Sequence, residues 1–261
     1  MDVVIVDDAT AVAERAADQI DSLLQRRPNA VLGVATGSSP IGTYAALAAR
    51  IRAGRLDSSQ VSAFALDEYV GLDLDHPESY HQVIRRTVTE PLGLDPARVW
   101  VPDGSAADVD AAGARYEEQI REAGGVDLQL LGIGANGHVG FNEPTSSFAS
   151  RTRLKTLAPQ TRSDNARFFS GIDDVPTHCI TQGLGTILEA GQLLLVAQGE
   201  SKADAVAAMI EGPLASICPA SALQLHQHAT VVIDRAAASK LRLTEYYEYV
   251  QQMRPASLAR A

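Results

Sequence analysis

The chain has 261 residues, 46% of them hydrophobic, and a formal net charge of −10. That length suits one large α/β domain with a substantial core, taken as spanning 1–261. The acidic balance argues against nucleic acid and anionic membranes as partners, so a phosphate-bearing ligand needs a local cluster of cations or backbone N–H groups.

No apolar run approaches the length needed to span a bilayer, and the opening MDVVIVDDAT carries acids where a signal peptide carries bases. The two cysteines, Cys179 and Cys218, fall in no CxxC or Cys/His ligand spacing. These features read as a soluble, cytoplasmic protein.

In chain order, residues 3–6 read as a strand, and Ala13, Ala16, Ala17, Ile20, Leu23 and Leu24 mark the buried stripe of the helix after it. A strand at 31–35 precedes a helix at 41–52. A third strand at 61–66 leads through a loop to a helix near 80–87. Residues 108–123 are helical, and 126–131 form a continuous apolar strand of the kind covered on both faces. A strand at 193–197, a helix at 202–210 and a last strand at 229–233 complete the pattern. Such alternation predicts a doubly wound, mostly parallel sheet with helices on both faces, an α/β fold of three layers. In such sheets ligands bind beyond the carboxyl ends of the strands, and four strand-end loops therefore carry the functional question.

The first is Thr36-Gly37-Ser38-Ser39-Pro40. Pro40 suits the first turn of a helix, Ser39 suits its N-cap, and a Gly/Ser turn at a helix N-terminus offers free N–H groups to an anion. It lacks the Gly-Lys-Ser/Thr ending of a Walker loop, and an ordinary capped turn has the same composition. The second is Leu66-Asp67-Glu68-Tyr69. Side chains alternate along a strand, so one carboxylate can face a cleft while the other makes structural contacts. A carboxylate acting as a carbon base needs an apolar setting to raise it from about 4. A solvated acidic turn is the simpler alternative.

The third loop, Leu131-Gly-Ile-Gly-Ala-Asn-Gly-His-Val-Gly-Phe-Asn-Glu-Pro144, contains the glycine spacing of a dinucleotide-binding turn. It comes halfway along the chain, runs into Asn142-Glu143-Pro144 rather than a helix, and meets no acid over residues 151–162. The nucleotide reading therefore fails. Glycines around Asn136 and His138 suit a turn that lets a ligand approach, and Glu143 is near enough in sequence to orient an imidazole that can change charge near neutrality. The fourth loop, Gln198 to Ala203, places Lys202 at the start of a helix, where the dipole disfavours a cation. A bound anion would account for it, and so would an exposed lysine. Arg151, Arg153, Lys155, Arg162 and Arg167 form a basic run with Asp164 as its one acid, suited to phosphate or to a solvated face. His226 and His228 lack a third nearby ligand and read as structural, so no metal is expected.

Together these loops resemble the glucosamine-6-phosphate deaminase family. The resemblance is carried by ATGSSP, LDEYVGL with HPESYH, GIGANGHVGFNEP, SRTRLKTLA, TRSDNARFF, VPTHCITQGLGTIL, GESKA and SALQLH, in the expected order from Thr36 to His226. It implies a Rossmann-like fold that binds no nucleotide. It also implies reversible conversion of D-glucosamine 6-phosphate and water to D-fructose 6-phosphate and ammonium, in amino-sugar catabolism, with no metal or organic cofactor. On this resemblance Asp67 carries the proton between C2 and C1, His138 opens the pyranose ring, and Glu143 tunes and orients that imidazole. The phosphate falls to Thr36, Gly37, Ser38, Ser39, Arg167 and Lys202, with Gly137 in the same site. Many members have Asp where this chain has Asn136, which can hydrogen-bond but hold no charge. Ser146, Ser147, Arg153 and Lys155 match part of an allosteric site found in some members, and homo-oligomers occur among them. A 6-phosphogluconolactonase of the same fold is the nearest rival, disfavoured by DEYVGL and GFNEP. A sugar-phosphate-sensing domain of a regulator is the second, and a strand beginning at residue 3 leaves it no room for a DNA-binding extension.

Overall fold

The computed structural model describes residues 1–254. It begins with β1 (Asp2–Val6) and α1 (Ala9–Arg26), whose first turn is capped by the Asp8 carboxylate accepting from the Ala11 N–H at 2.8 Å. There follow β2 (Val31–Val34), α2 (Ser38–Arg52), β3 (Ser62–Ala65) and β4 (Asp67–Tyr69). Next are α3 (Tyr80–Ile84), a π-helical turn (Arg85–Thr89) and α4 (Glu90–Leu92). The helix expected near 80–87 thus widens midway, where the Thr87 and Thr89 hydroxyls bond to the Val83 and Ile84 carbonyls and compete with the ladder. The chain continues through β5 (Val99–Trp100), α5 (Val109–Glu122), β6 (Leu128–Leu131), β7 (Arg153–Thr156), α6 (Pro159–Asn165), β8 (His178–Thr181) and α7 (Leu184–Leu188). It ends with β9 (Gln192–Ala197), α8 (Ala203–Ile210), β10 (Ala229–Asp234) and α9 (Thr244–Gln252).

Seven strands form one sheet in the order β1-β10-β9-β6-β2-β3-β5, and every pairing in it is parallel. The expected α/β architecture is present. Alternating side chains split the core between the two faces. Leu193 and Leu195 of β9 pack with Tyr116, Ile187 and Met209 from α5, α7 and α8. Leu194 and Val196 point the other way, to Ile20, Tyr44 and Ile84 from α1, α2 and α3. Strand order grows from β2 toward β5 on one side and from β6 toward β1 on the other. The connections leaving the carboxyl ends of these two paired central strands therefore run to opposite sides, which is where a doubly wound sheet opens a crevice.

A second, antiparallel sheet, β4-β8-β7, was not expected. The strand read as 61–66 stops at Ala65. The Leu66 N–H still bonds to Val34 of the large sheet at 3.2 Å, while the Leu66 carbonyl accepts from Gln182 of the small one at 2.7 Å. The chain thus changes sheets at one residue, immediately before Asp67. The C-terminal helix α9, also unexpected, lays Tyr247 against the core and bonds Gln251 to the Val3 carbonyl on the edge strand. Among the described residues no helix is long and apolar enough to cross a membrane.

Candidate active site

A cavity of about 420 Å³ lies at the crevice between β2 and β6. Asp67 and His138 both line it, as do Thr36 to Pro40, Arg167 and Lys202. Segments far apart in sequence therefore meet at one rim.

One end is built for an anion. Helix α2 starts at Ser38, with Gly37 as its N-cap at φ 90°, and no side chain caps its first turn. The free N–H groups and the positive end of the dipole remain available to a ligand. This corrects the assignment of Ser39 as the cap: the helix begins before it, and Ser39 is buried within the first turn. The Ser39 carbonyl accepts from the Gln198 side chain at 3.1 Å, which ties this turn to the loop bearing Lys202. Lys202 ends a short 3-10 turn (Glu200–Lys202) directly before α8, close to the helix start expected for it. Burial lowers its ammonium below the ordinary lysine value, with Arg167 adding to that fall and Asp164 opposing it. The Arg167 guanidinium stacks over Phe168 at 4.7 Å. Among the described residues no carboxylate forms an ion pair with Lys202 or Arg167. Lys202 and Arg167 thus stand at one cavity with Asp164 nearby but without a close ion pair, an arrangement that favours an anion joining them.

The other end holds the titratable groups. Asp67 is 4% exposed, and its Oδ2 accepts from the Thr181 hydroxyl at 3.4 Å. Burial, then the negative charge of Glu68, pushes its carboxyl up to about 7 against the opposing Thr181 and Phe141 hydrogen bonds. The strand alternation expected for this pair holds: Glu68 turns away and accepts from the Tyr69, Tyr80 and His81 N–H groups.

Two glycines let the histidine loop into this space. A Cβ on Gly134 would stand 2.2 Å from the His138 imidazole, and one on Gly140, at φ 52°, would stand 3.4 Å from the Asp67 carboxylate. The His138 Nδ1 is buried without a hydrogen-bond partner, 3.6 Å from Oε2 of Glu143. That oxygen accepts from Asn136 Nδ2 at 2.7 Å, and the Asn136 side-chain Oδ1 accepts from the His138 backbone N–H at 3.2 Å. Burial raises the Glu143 carboxyl, but His138, Thr161 and the Ala158 N–H outweigh it and bring it down to about 2. Glu143 is thus a fixed negative charge behind the imidazole.

Asn136, Gly137 and Glu143 support the histidine from behind the cavity wall, with Gly137 lying against Cys218. Ser146, Ser147, Arg153 and Lys155 do not line the cavity. The Ser146 hydroxyl is buried and donates to the Glu143 carbonyl, and Arg153 donates to Asn142 and to the Arg151 carbonyl. The basic run from Arg151 to Arg167 is not one phosphate patch: Arg151 pairs with Glu117 and Glu189, and Arg162 donates to the Ile172 and Val175 carbonyls. Arg167 alone of that run reaches the cavity. His226 bonds through its ring to the Ala190 carbonyl at 2.8 Å.

Sequence reasoning missed Thr181, Gln198 and Tyr80 as site residues. Gln198 ends the β9 strand in the loop already singled out for Lys202, so its place was available. Thr181 and Tyr80 lie in VPTHCITQGLGTIL and HPESYH, segments that carry the resemblance but whose residue types alone mark no chemistry.

Residues 7–232 match the family model for glucosamine-6-phosphate isomerases and 6-phosphogluconolactonases. A glucosamine-6-phosphate deaminase of Streptomyces coelicolor is 60% identical over 98% of both chains. Among solved structures, one described as a monomeric glucosamine-6-phosphate deaminase is 43% identical, covers 92% of this chain and all of its own, and superposes with a TM-score of 0.90. A 6-phosphogluconolactonase from Trypanosoma cruzi shares the fold at a TM-score of 0.72 and 18% identity, covering 92% of this chain and 97% of its own. The chain therefore belongs to the glucosamine-6-phosphate isomerase/6-phosphogluconolactonase family.

Proposed function

We infer that the protein is a glucosamine-6-phosphate deaminase, converting D-glucosamine 6-phosphate and water to D-fructose 6-phosphate and ammonium. High identity to named deaminases over nearly the whole chain favours this over lactone hydrolysis. The observation that carries it is the shared cavity, with a buried carboxylate and an imidazole at one end and unpaired cations beside an uncapped helix start at the other.

The chemistry follows from those positions. The phosphate is held by the Gly37-Ser38-Ser39 turn with Lys202 and Arg167. His138 moves a proton at the ring oxygen, and the sugar opens to its C1 aldehyde. Glu143, ionised through the whole neutral range, compensates the charge the imidazole takes up. Asp67 removes the C2 proton while O1 takes up a proton from water, giving an enolamine, and Asp67 then returns its proton to C1. The resulting C2 iminium adds water, and collapse of the carbinolamine expels ammonia and leaves the ketone. One base serving two adjacent carbons needs a carboxylate that is ionised at neutrality yet strong enough to take a carbon-bound proton, and a pKa near 7 meets both demands. The thiols of Cys179 and Cys218 are free and buried, in keeping with a cytoplasmic enzyme.

Incubation with glucosamine 6-phosphate is expected to release ammonia and fructose 6-phosphate in equal amounts. Hydrolysis of 6-phosphogluconolactone without ammonia release would reverse the assignment. Lys202→Ala is expected to raise KM for the phosphorylated sugar roughly tenfold or more, with a smaller change in kcat. An unchanged KM in steady-state assays would remove Lys202 from phosphate binding.

A further inference from the structure

Glu68 is 1% exposed, yet among the described residues no cation forms an ion pair with it. A buried carboxylate in that state is costly unless other groups take its charge. Three backbone N–H groups do so: Tyr69 and Tyr80 donate to one oxygen at 2.7 and 2.8 Å, and His81 donates to the other at 2.8 Å. Both oxygens accept, so the ionised form is the one this cradle fits. Tyr80 and His81 open α3, where the N–H groups lack partners within the helix. Glu68 thus fastens the strand carrying Asp67 to the first residue of α3. That residue, Tyr80, lines the cavity, with its ring stacked on Phe141 at 5.8 Å and 17°.

The geometry points to Glu68 as a positioning residue for proton transfer: its charge, fixed one residue from Asp67, strengthens that carboxylate as a base, while its hydrogen bonds hold Tyr80 on the cavity wall. A cap alone would need no charge beside a catalytic carboxylate, since a neutral Ser, Thr or Asn side chain satisfies a helix start equally well. Ser79 already serves α3 in that way, accepting from the Gln82 N–H at 3.2 Å.

The two carboxylates titrate as a coupled pair. Burial raises the Glu68 carboxyl above the ordinary glutamate value against the lowering of its three N–H donors, and its charge in turn opposes ionisation of Asp67. The Tyr69, Tyr80 and Tyr116 phenols and the Cys179 thiol also face Asp67 electrostatically, and burial raises all four, so they stay neutral across the working range. The His138 imidazole lines the same cavity, and Arg153 of β7 lies across β8 from Asp67.

This inference rests on the deaminase reading for its kinetic arm and on the folded chain alone for its titration arm. Carboxyl 13C NMR of the intact protein should show Asp67 titrating roughly one pH unit lower in Glu68→Gln than in the unmodified chain. The acid limb of kcat/KM for ammonia release should move down with it. Plateau kcat should fall several-fold, because a weaker base abstracts the C2 proton more slowly, while KM changes little. An Asp67 midpoint that stays in place in Glu68→Gln overturns the role of Glu68. Absence of ammonia release by the unmodified chain would instead sink the deaminase reading, and the titration arm would still decide the question for Glu68. Should Glu68→Gln fail to fold, the unmodified chain gives the answer by itself. Its Asp67 resonance is expected to report two steps, one of them from Glu68, and a single independent step would overturn the proposal.

Discussion

Asp67→Asn is expected to lower kcat by about 10³-fold or more while leaving KM for glucosamine 6-phosphate close to that of the unmodified protein. The substitution keeps the size of the side chain and its acceptor toward Thr181, but an amide takes no proton from carbon. In the unmodified enzyme kcat/KM should rise with pH through about 7, as the raised carboxyl of Asp67 ionises. Stability should change in the opposite sense. A carboxyl whose folded pKa lies above its unfolded value contributes stability that is complete below about pH 4 and lost as pH rises through its folded pKa, here about 7. The asparagine protein should therefore melt above the unmodified one at about pH 8, and the gap should close on acidification toward about pH 4. Thermal melts across that window check this independently of activity. Near-normal turnover in the variant would end the assigned role of Asp67.

His138→Gln should slow ring opening by about 10²–10³-fold, since the amide cannot exchange a proton near neutrality. A 5-deoxy substrate, which cannot close the pyranose ring, bypasses that step and should be turned over almost as well by the variant as by the unmodified enzyme. Equal losses on both substrates would show that the imidazole acts elsewhere. Gly134→Ala is expected to reproduce the same selective defect, because its methyl would occupy the position of the imidazole, 2.2 Å from the ring. A protein that folds normally but discriminates in this way between closed and open sugars would separate imidazole placement from general damage.

Much of the large sheet was legible because six of its seven strands are short apolar runs near amphipathic helices; the edge strand β5, only Val99 and Trp100 and half-buried, carries no such run and was missed. Leu128, Leu130 and Leu131 announce a strand covered on both faces, and α1 shows its core residues at helical spacing. The small sheet was not legible. Asp67-Glu68-Tyr69 is only three residues long, and its partner Thr181 lies 114 positions away, so no local periodicity or turn reports the pairing. Arg153–Thr156 alternates Arg, Leu, Lys and Thr and leaves Leu154 exposed, a pattern that gives no buried face. In the site, Asp67, His138, Lys202 and the Gly37 turn could be picked out as chemistry-bearing groups at strand ends. The basic run misled, because spacing in sequence says nothing about which guanidinium groups are consumed by Glu117, Glu189 and backbone carbonyls. Ser39 misled for a related reason: glycine at φ 90° can itself end the extended segment and start the helix one residue sooner.

The hand-over at Leu66 has a consequence for how such a scaffold diversifies. Of the anchor for the substrate's tail, the Gly37 turn and Lys202 hang from the broad parallel layer, whereas the aspartate acting on carbon hangs from a narrow antiparallel ribbon, whose β7–β8 connection also carries Arg167. The two share one hinge residue and separate cores. Substitutions in β4 and β8 that spare the Arg167 connection can therefore recast the reaction at the head of a sugar while the parallel layer keeps its grip on the tail, which gives a physical route by which descendants of one ancestor come to catalyse different transformations of similarly tagged metabolites.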